Sequence, residues 1–446
     1  MLLGLEKMKE ITQCVLAHSR ADQTEVLLLG GETELTRFAN SRIHQNVSER
    51  NVQVRVRAVS GKKVGVASIN DLGDAALRKV VENALQIALL QPENPDFHSL
   101  PTPKPLPRAD AFVQATADCT PEQRARAVAI LCQLAKENGL TASGAFTTST
   151  TEIAIANSLG VFAYAPCTYA DLTTVIMADD SSGYASATSL DAREIDAEQL
   201  ARVAVDKAVH SRNPQAIEPG QYTVILEEDA VAEMLSYLSF MGFGALAVQE
   251  ARSFMANKFG QRITGENISI WDDGLDPSGL PFPFDFEGMP KQRVDLIEKG
   301  IAKAVVYDSY TANKEGKDTT GHALPAPNPY GPLPGNLFMA PGTSTKQQML
   351  ASIERGLWVT RFHYVNPVHP LKTILTGMTR DGTFLIEKGE ITKPAKNLRF
   401  TQSVLEALSA VRMIGAETRL HGAFFGGVRV PALCIDGFTF TGVTEF

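Results

Sequence analysis

Eight histidines and five cysteines are the nitrogen and sulfur donors in this 446-residue chain, and their spacing is poor for a metal centre or a nucleophilic triad. His363 and His369, in RFHYVNPVHP, stand six residues apart, which does not place two imidazoles on one helical face. If RFHYV is a strand, His363 projects from the face opposite Phe362 and Tyr364. His322 ends the sequence Thr319-Thr320-Gly321-His322 within a polar, proline-rich loop over residues 311–336, and loops of that length are often functional. These three histidines could share an ion only through tertiary contact. The cysteines, at 14, 119, 132, 167 and 434, are odd in number and include no Cys-x-x-Cys pair, which suits a reducing compartment. Cys434 falls inside VPALCIDGF, a buried-strand pattern, and reads as a small core residue. There is no Gly-x-Ser-x-Gly elbow and no Walker loop, and Gly242-Phe243-Gly244 follows a helical pattern where a dinucleotide fingerprint would follow a strand. A triad assembled only in space stays open.

The elements that would position such groups are legible in part. Residues 222–244, YTVILEEDAVAEMLSYLSFMGFG, read as a short strand followed by a helix, with Val231, Met234, Leu235, Leu238 and Met241 at helical spacing and Asp229 as its N-cap. Residues 355–365 and 383–391 alternate like half-buried strands, and Lys388-Gly389 supplies a tight turn in the second. Asn366-Pro367 reads as a turn after the first strand, and Thr379-Arg380-Asp381-Gly382 as a turn before the second.

The first half repeats itself. A helix over 6–19, strands through TEVLLLGGETELTRFANS and NVQVRVRAVSGKKVGVASIND, and a helix over 74–90 are followed by a second such series. That series has a helix over 121–137, strands through TASGAFTTSTTEIAIANS and ADLTTVIMADDSSGYASATS, and a helix over 196–210. Ala39-Asn40-Ser41 echoes Ala156-Asn157-Ser158, and Gly65-Val66-Ala67-Ser68 echoes Gly183-Tyr184-Ala185-Ser186. The fold class is therefore α+β: duplicated helix/antiparallel-sheet/helix units, then a mainly β C-terminal domain with a helix near its start. The expected divisions are 1–92, a proline-rich connector over 93–119, 120–215, and 220–446. The connector is either a disordered linker or a strap packed across both units.

A formal net charge of -8 opposes general affinity for nucleic acid, which depends on clustered Lys and Arg. No stretch approaches the ~20 apolar residues of a membrane span, and the apolar run before Glu6 and Lys7 is too short for a signal peptide. The expectation is a soluble cytoplasmic protein with neither nucleic-acid nor membrane partners.

The succession GTSTKQQMLASIERGLWVTRFHYVNPV, TGMTRDGTFLIEKGEIT and NLRFTQSVLEAL, behind the strand and helix at 222–244, resembles the C-terminal domain of the TldD/PmbA family. These are cytoplasmic metallopeptidases also named modulators of DNA gyrase. The resemblance implies two kinds of subunit, one carrying His-Glu-x-x-x-His on that helix and a cysteine ligand from a glycine-rich segment near the C-terminus. Zinc chemistry of this type needs neutral nitrogen ligands, an open coordination site and a base. Here no histidine lies between His210 and His322, the residues facing the expected site are Glu233, Ser236, Tyr237 and Ser239, and Cys434 falls past the ligand position.

The resemblance therefore implies a PmbA/TldE-like subunit with no catalytic residue, metal or cofactor of its own. Its partner would be a TldD-like, zinc-bearing subunit in a heterodimer, or a second copy in a homodimer, and its substrates unfolded peptides. His363, Asn366, Thr379 and Arg380 are the side chains expected to line a groove for an added peptide strand, Arg380 by pairing with a carboxylate. His322 is expected beside the cleft. The alternatives are an independent peptidase with an unrecognised site, and a binding or regulatory protein without peptidase activity.

Overall fold

The computed structural model describes residues 2–423 and 426–444. In the N-terminal half, strands β1 (Gln23–Ala39), β2 (Arg42–Ser60) and β3 (Lys63–Ile69) lie between helices α1 (Leu5–His18) and α2 (Asp74–Leu90). After a single turn, α3 (Gln114–Ala117), the pattern recurs: α4 (Pro121–Glu137), β4 (Thr141–Asn157), β5 (Phe162–Met177), β6 (Ser182–Ser189) and α5 (Ala197–His210). β1 and β4 pair antiparallel, so the two series form one six-stranded sheet in the order β3-β2-β1-β4-β5-β6.

The echoed glycines explain each other. A Cβ on Gly65 of β3 would sit 2.2 Å from Ala88 N and 2.3 Å from Ala84 O of α2. One on Gly183 of β6 would sit 2.1 Å from Ala204 O and 2.6 Å from Ala208 N of α5. Each helix thus rests directly on a strand backbone through alanines one turn apart, and only glycine permits that approach. The helices cover one face of the sheet, burying Met8, Val15, Val26, Val54 and Val80 in one cluster and Val128, Leu131, Phe146, Leu172 and Ala204 in another. The opposite face offers Leu27, Ile153, Ile155 and Ala163 to Phe284 of the C-terminal domain.

Between the two series the chain is a strap. Phe97 and Leu100 bury against Val59, Leu100 N donates to Gln23 Oε1 at 2.8 Å, and Asn157 Nδ2 donates to Pro101 O at 2.8 Å. Its prolines need no ladder partners, which lets it cross the sheet edgewise.

The C-terminal domain opens with β7 (Gly220–Leu226) and α6 (Glu228–Gly242). The remaining strands are β8 (Ile270–Asp272), β9 (Val294–Glu298), β10 (Ile301–Ala302), β11 (Asn336–Met339), β12 (Arg355–His369), β13 (Ile374–Glu387), β14 (Glu390–Pro394), β15 (Leu398–Ser403), β16 (Val411–Ala423) and β17 (Gly426–Val443). Pairing runs β7–β12–β13–β15–β17 and returns to β7, closing a barrel that leaves those strands no free edge. Val231, Met234, Leu235 and Leu238 of α6 pack into its core with Leu357, Leu375, Phe400, Leu433 and Phe438.

Two segments read as turns lie inside strands. Asn366 and Pro367 pair with Thr376 and Leu375, so β12 continues past a bulge at Tyr364, where φ is 51°. Asp381 (φ 56°) and Gly382 (φ 123°) bulge from β13 opposite Thr360, between the pairs Val359–Thr383 and Arg361–Arg380. Positive-φ residues serve turns and bulges alike. The Lys388-Gly389 turn is where the sequence places it, both residues having positive φ.

Candidate functional site

The longest helix of the C-terminal domain among the described residues, α6, has two faces. Its apolar stripe fills the barrel core, and its other face, with Glu233, Ser236, Tyr237 and Phe240, lines a cavity of about 590 Å³. Tyr330, Leu333, Pro334 and Leu337, together with Gly422, Ala423, Gly427 and Val428, complete its lining. Phe240 and Tyr330 meet at its lip, ring centroids 5.4 Å apart, and are 47% and 52% exposed.

The polar groups of this face are mostly committed. Ser236 Oγ donates to Ala232 O one turn back at 2.8 Å, and Tyr237 Oη donates to Val365 O at 2.6 Å, tying α6 to the β12 bulge. Burial pushes the Glu233 carboxyl above its usual range, with Arg361 opposing and Asp229 reinforcing. Glu227, where the sequence suggests Asp229, occupies the N-cap without capping through its side chain. Its carboxylate instead takes Lys207 Nζ at 2.6 Å and Trp358 Nε1 at 2.5 Å.

Asp229, in the first turn, accepts from Ser186 Oγ at 3.0 Å and stands 3.4 Å from His421 Nδ1. Burial works against its ionisation, but His421 and Lys207 prevail and hold the carboxyl below its ordinary value. His421 Nε2 is buried without a hydrogen-bond partner among the described residues. Nothing in the sequence singles out this histidine, because Asp229 lies nearly two hundred residues away along the chain.

His322 lies away from the α6 cavity and is held by its own hydrogen bonds. It is fully buried, its Nε2 pairs with Asp272 Oδ1 at 2.7 Å, and its Nδ1 faces Thr320 Oγ1 at 2.9 Å. Asp272 Oδ2 accepts from Gly335 N at 2.8 Å and Asn336 N at 2.7 Å. One ring nitrogen pins the long loop to β8 and the other is engaged within the loop. The ring borders a second cavity of about 370 Å³ that also contains Lys291 and Phe282. Burial, then Lys291, lowers the imidazole's pKa, so it is held neutral.

Profiles of the three PmbA/TldA metallopeptidase domains match this chain: the first over residues 24–88, the central domain over 112–212 and the C-terminal domain over 219–442. The chain belongs to the PmbA/TldD metallopeptidase family.

Among its relatives, metalloprotease PmbA of Escherichia coli O157:H7 is 24% identical over 84% of this chain and 83% of its own length. An uncharacterized protein of Methanocaldococcus jannaschii is 29% identical over 60% of this chain and 63% of its own. The Haemophilus influenzae metalloprotease TldD homolog is 26% identical over 56% and 54%. The last two alignments thus span less than two thirds of those relatives. In fold, the crystal structure of TldE from Thermococcus kodakarensis superposes with a TM-score of 0.87 at 21% identity, over 98% of this chain and all of that one.

Within the family's C-terminal domain, the α6 cavity does not fit a zinc ion. The α6 side chains lining it, Glu233, Ser236, Tyr237, Ser239 and Phe240, supply one carboxylate, three hydroxyls and a phenyl ring, whereas zinc takes thiolate, imidazole and carboxylate donors. Among the described residues, Glu233, Asp229 and His421 do not converge as a donor triad; the one convergent group of three is Cys14, His18 and Asp74, at α1 and α2.

The other residues expected in a groove are dispersed. Thr379 is fully buried and its Oγ1 accepts from Leu398 N at 3.0 Å, so it braces β13 against β15 and a ligand does not reach it. His322 is likewise buried, but it borders the second cavity and not the α6 one. His363 lies at the β12 bulge with its ring 4.4 Å from that of Tyr364, and Asn366 is exposed, donating from Nδ2 to Tyr364 O at 3.0 Å. Arg380 is 3.9 Å from the Asp381 carboxylate with its side chain open to solvent. None of the five lines the α6 cavity.

Proposed function

We propose that this chain is the non-catalytic subunit, holding no metal at α6, of a cytoplasmic PmbA/TldD-type peptidase that acts on unfolded peptides. It would pair with a subunit bearing His-Glu-x-x-x-His, or with a second copy of itself. The observation that carries the reading is the donor set on α6: Glu233, Ser236, Tyr237 and Phe240 offer no imidazole and no thiolate. A side-chain set of that kind cannot hold the Lewis acid that polarises an amide carbonyl.

The cavity favours a peptide-handling role. Aromatic rings at its lip and a part-buried carboxyl within it suit an extended chain with apolar and amino-bearing side chains. At the far end of β12, Tyr364, Val368 and Leu371 are 70%, 56% and 51% exposed, an apolar tip that suits contact with another subunit. All five cysteines are free, in keeping with a reducing compartment, and among the described residues no helix is long and apolar enough to cross a membrane.

The test is to purify the chain alone and with a zinc-motif partner, and to assay cleavage of an unstructured peptide in each. Cleavage only in the pair, abolished by chelator, is expected; chelator-sensitive cleavage by this chain alone would end the proposal. A second reading, an independent metal-free hydrolase, draws on His421, whose Nδ1 stands 3.4 Å from Asp229 Oδ1 while its buried Nε2 has no hydrogen-bond partner among the described residues, an arrangement suited to a general base. It requires chelator-resistant cleavage by the chain alone that His421→Ala removes.

A further inference from the structure

We propose that Cys14, His18 and Asp74 form a zinc site that clips α1 to α2, separate from the α6 cavity. Cys14 and His18 stand one turn apart on the same face of α1, and Asp74 is the first residue of α2. Their donor atoms make a compact triangle: Cys14 Sγ to His18 Nε2 is 3.5 Å, His18 Nε2 to Asp74 Oδ1 is 2.9 Å, and Cys14 Sγ to Asp74 Oδ1 is 3.8 Å.

That triangle is close to one face of a zinc tetrahedron. Bond lengths of about 2.3 Å to sulfur and about 2.0–2.2 Å to nitrogen and oxygen put ligand atoms roughly 3.3–3.6 Å apart. Only the imidazole and carboxylate would have to part, by about 0.4 Å on the same bond lengths. Without an ion the contacts compete, because a single Nε2 faces both the thiol and the carboxylate. Protonated, it donates to Asp74 Oδ1 and leaves the Cys14 thiol only a long 3.8 Å contact to that same oxygen; unprotonated, it sets its lone pair against the carboxylate's. A cation at the centre serves all three atoms at once.

The surroundings agree with this. Arg78 Nε donates to Asp74 Oδ2 at 2.8 Å, which orients the carboxylate and leaves Oδ1 directed at the other two donors. Cys14 and His18 are half-buried while Asp74 is exposed, so solvent can supply a fourth ligand and an entry path. Thiolate with imidazole and carboxylate selects a borderline-soft ion such as zinc over magnesium or calcium. Binding converts the Cys14 thiol to a zinc-bound thiolate and releases its proton to water. The clip would join positions sixty residues apart in the helical layer of the first unit.

The experiment uses the full chain, stripped with chelator, incubated with one equivalent of zinc and desalted. About one zinc per chain by mass spectrometry is expected, along with a thiolate-to-metal absorption band when cobalt replaces zinc. Cys14→Ser and His18→Ala should each lose the cobalt band and at least tenfold in zinc affinity, with the far-ultraviolet circular dichroism unchanged. His210→Ala, which removes an exposed histidine paired with Asp206 on α5, should change nothing. Failure of the wild type to retain zinc overturns the site. So does zinc retained by the Cys14→Ser/His18→Ala double variant, and that result would place the ion elsewhere and count against the metal-free reading of α6 as well.

Discussion

Arg57 Nη2 lies 3.1 Å from Glu287 Oε1, so one guanidinium joins the N-terminal sheet to the C-terminal domain. The same nitrogen holds Glu25, the residue directly opposite Arg57 in the β1–β2 ladder. Ser309 N donates to the other Glu287 oxygen at 3.0 Å. Asp285 and Asp308 sit close enough to feel the charge on Glu287. The joint therefore gathers four carboxyls near Arg57, with Lys291 acting on Asp285 as well.

Such an excess of acid makes the joint pH-sensitive. Burial pushes Glu25 up to about 7 from 4.5, against the pull of Arg57. Burial, with Glu287 adding, raises Asp285 to about 7 and Asp308 to about 6. Their folded pKa values lie above the unfolded ones, so the native state binds more protons in between. The resulting stability is fully present below the unfolded values of 4.5 for Glu25 and 3.8 for the two aspartates, and is lost as pH rises through about 6 for Asp308 and about 7 for Glu25 and Asp285. His322, held neutral, acts in the opposite sense below its usual value of 6.5. Urea denaturation at pH 6 and pH 8 should therefore be compared between wild type and Glu25→Gln. The variant's decline across that interval should be shallower, and an unchanged slope would show that Glu25 does not titrate there.

Gly65→Ala and Gly183→Ala should cost similar amounts, about 1–3 kcal/mol each, because both insert a methyl against helix backbone that cannot yield locally. Equilibrium denaturation followed by far-ultraviolet circular dichroism measures this. A loss at one position and none at the other would mean that the two halves do not share the same helix-on-strand packing.

The glycine echo shows how far local pattern reaches. GVAS and GYAS are visible as text because the same backbone contact demands the same small residue twice, and the apolar stripe of α6 is visible because a core enforces its period. The barrel closure is not visible, since β7 and β17 pair residues about two hundred positions apart. Nor is the role of His322, whose Asp272 partner comes from a three-residue strand fifty positions earlier. The α6 cavity lies between these cases. Its helix-side lining, Glu233, Ser236 and Tyr237, follows from the face opposite the stripe, whereas Tyr330 and Leu333 come from a loop whose path no periodicity specifies.

Arg124 of α4 is fully buried, donating to Thr36 Oγ1 at 3.2 Å, Cys119 O at 2.9 Å and Thr148 Oγ1 at 3.0 Å as well as pairing with Glu34. Arg124→Ala should destabilise by about 2–3 kcal/mol, at or below the low end for breaking a buried pair, because Glu34 retains some contact with water. Arg124→Met keeps the stem's packing and should recover part of that loss. If the methionine variant were as unstable as the alanine one, polar anchoring of α4 would account for the whole effect.

The lip of the α6 cavity gives the most direct reading of function. Phe240 and Tyr330 are exposed and touch each other, so replacing both with alanine removes contact surface without opening the core. If the cavity receives peptide while a partner subunit cleaves it, the double variant loses binding shared by substrate and transition state. At about 1 kcal/mol for each aromatic contact, KM for an unstructured peptide should rise roughly 10- to 30-fold in the two-subunit enzyme while kcat stays within about twofold. Glu233→Gln should separate charge from shape: peptides with a basic side chain should weaken several-fold and neutral ones should not. A double variant that lowers kcat at unchanged KM would mean that these rings act on the chemistry or on subunit pairing, and that peptide is captured elsewhere on the assembly.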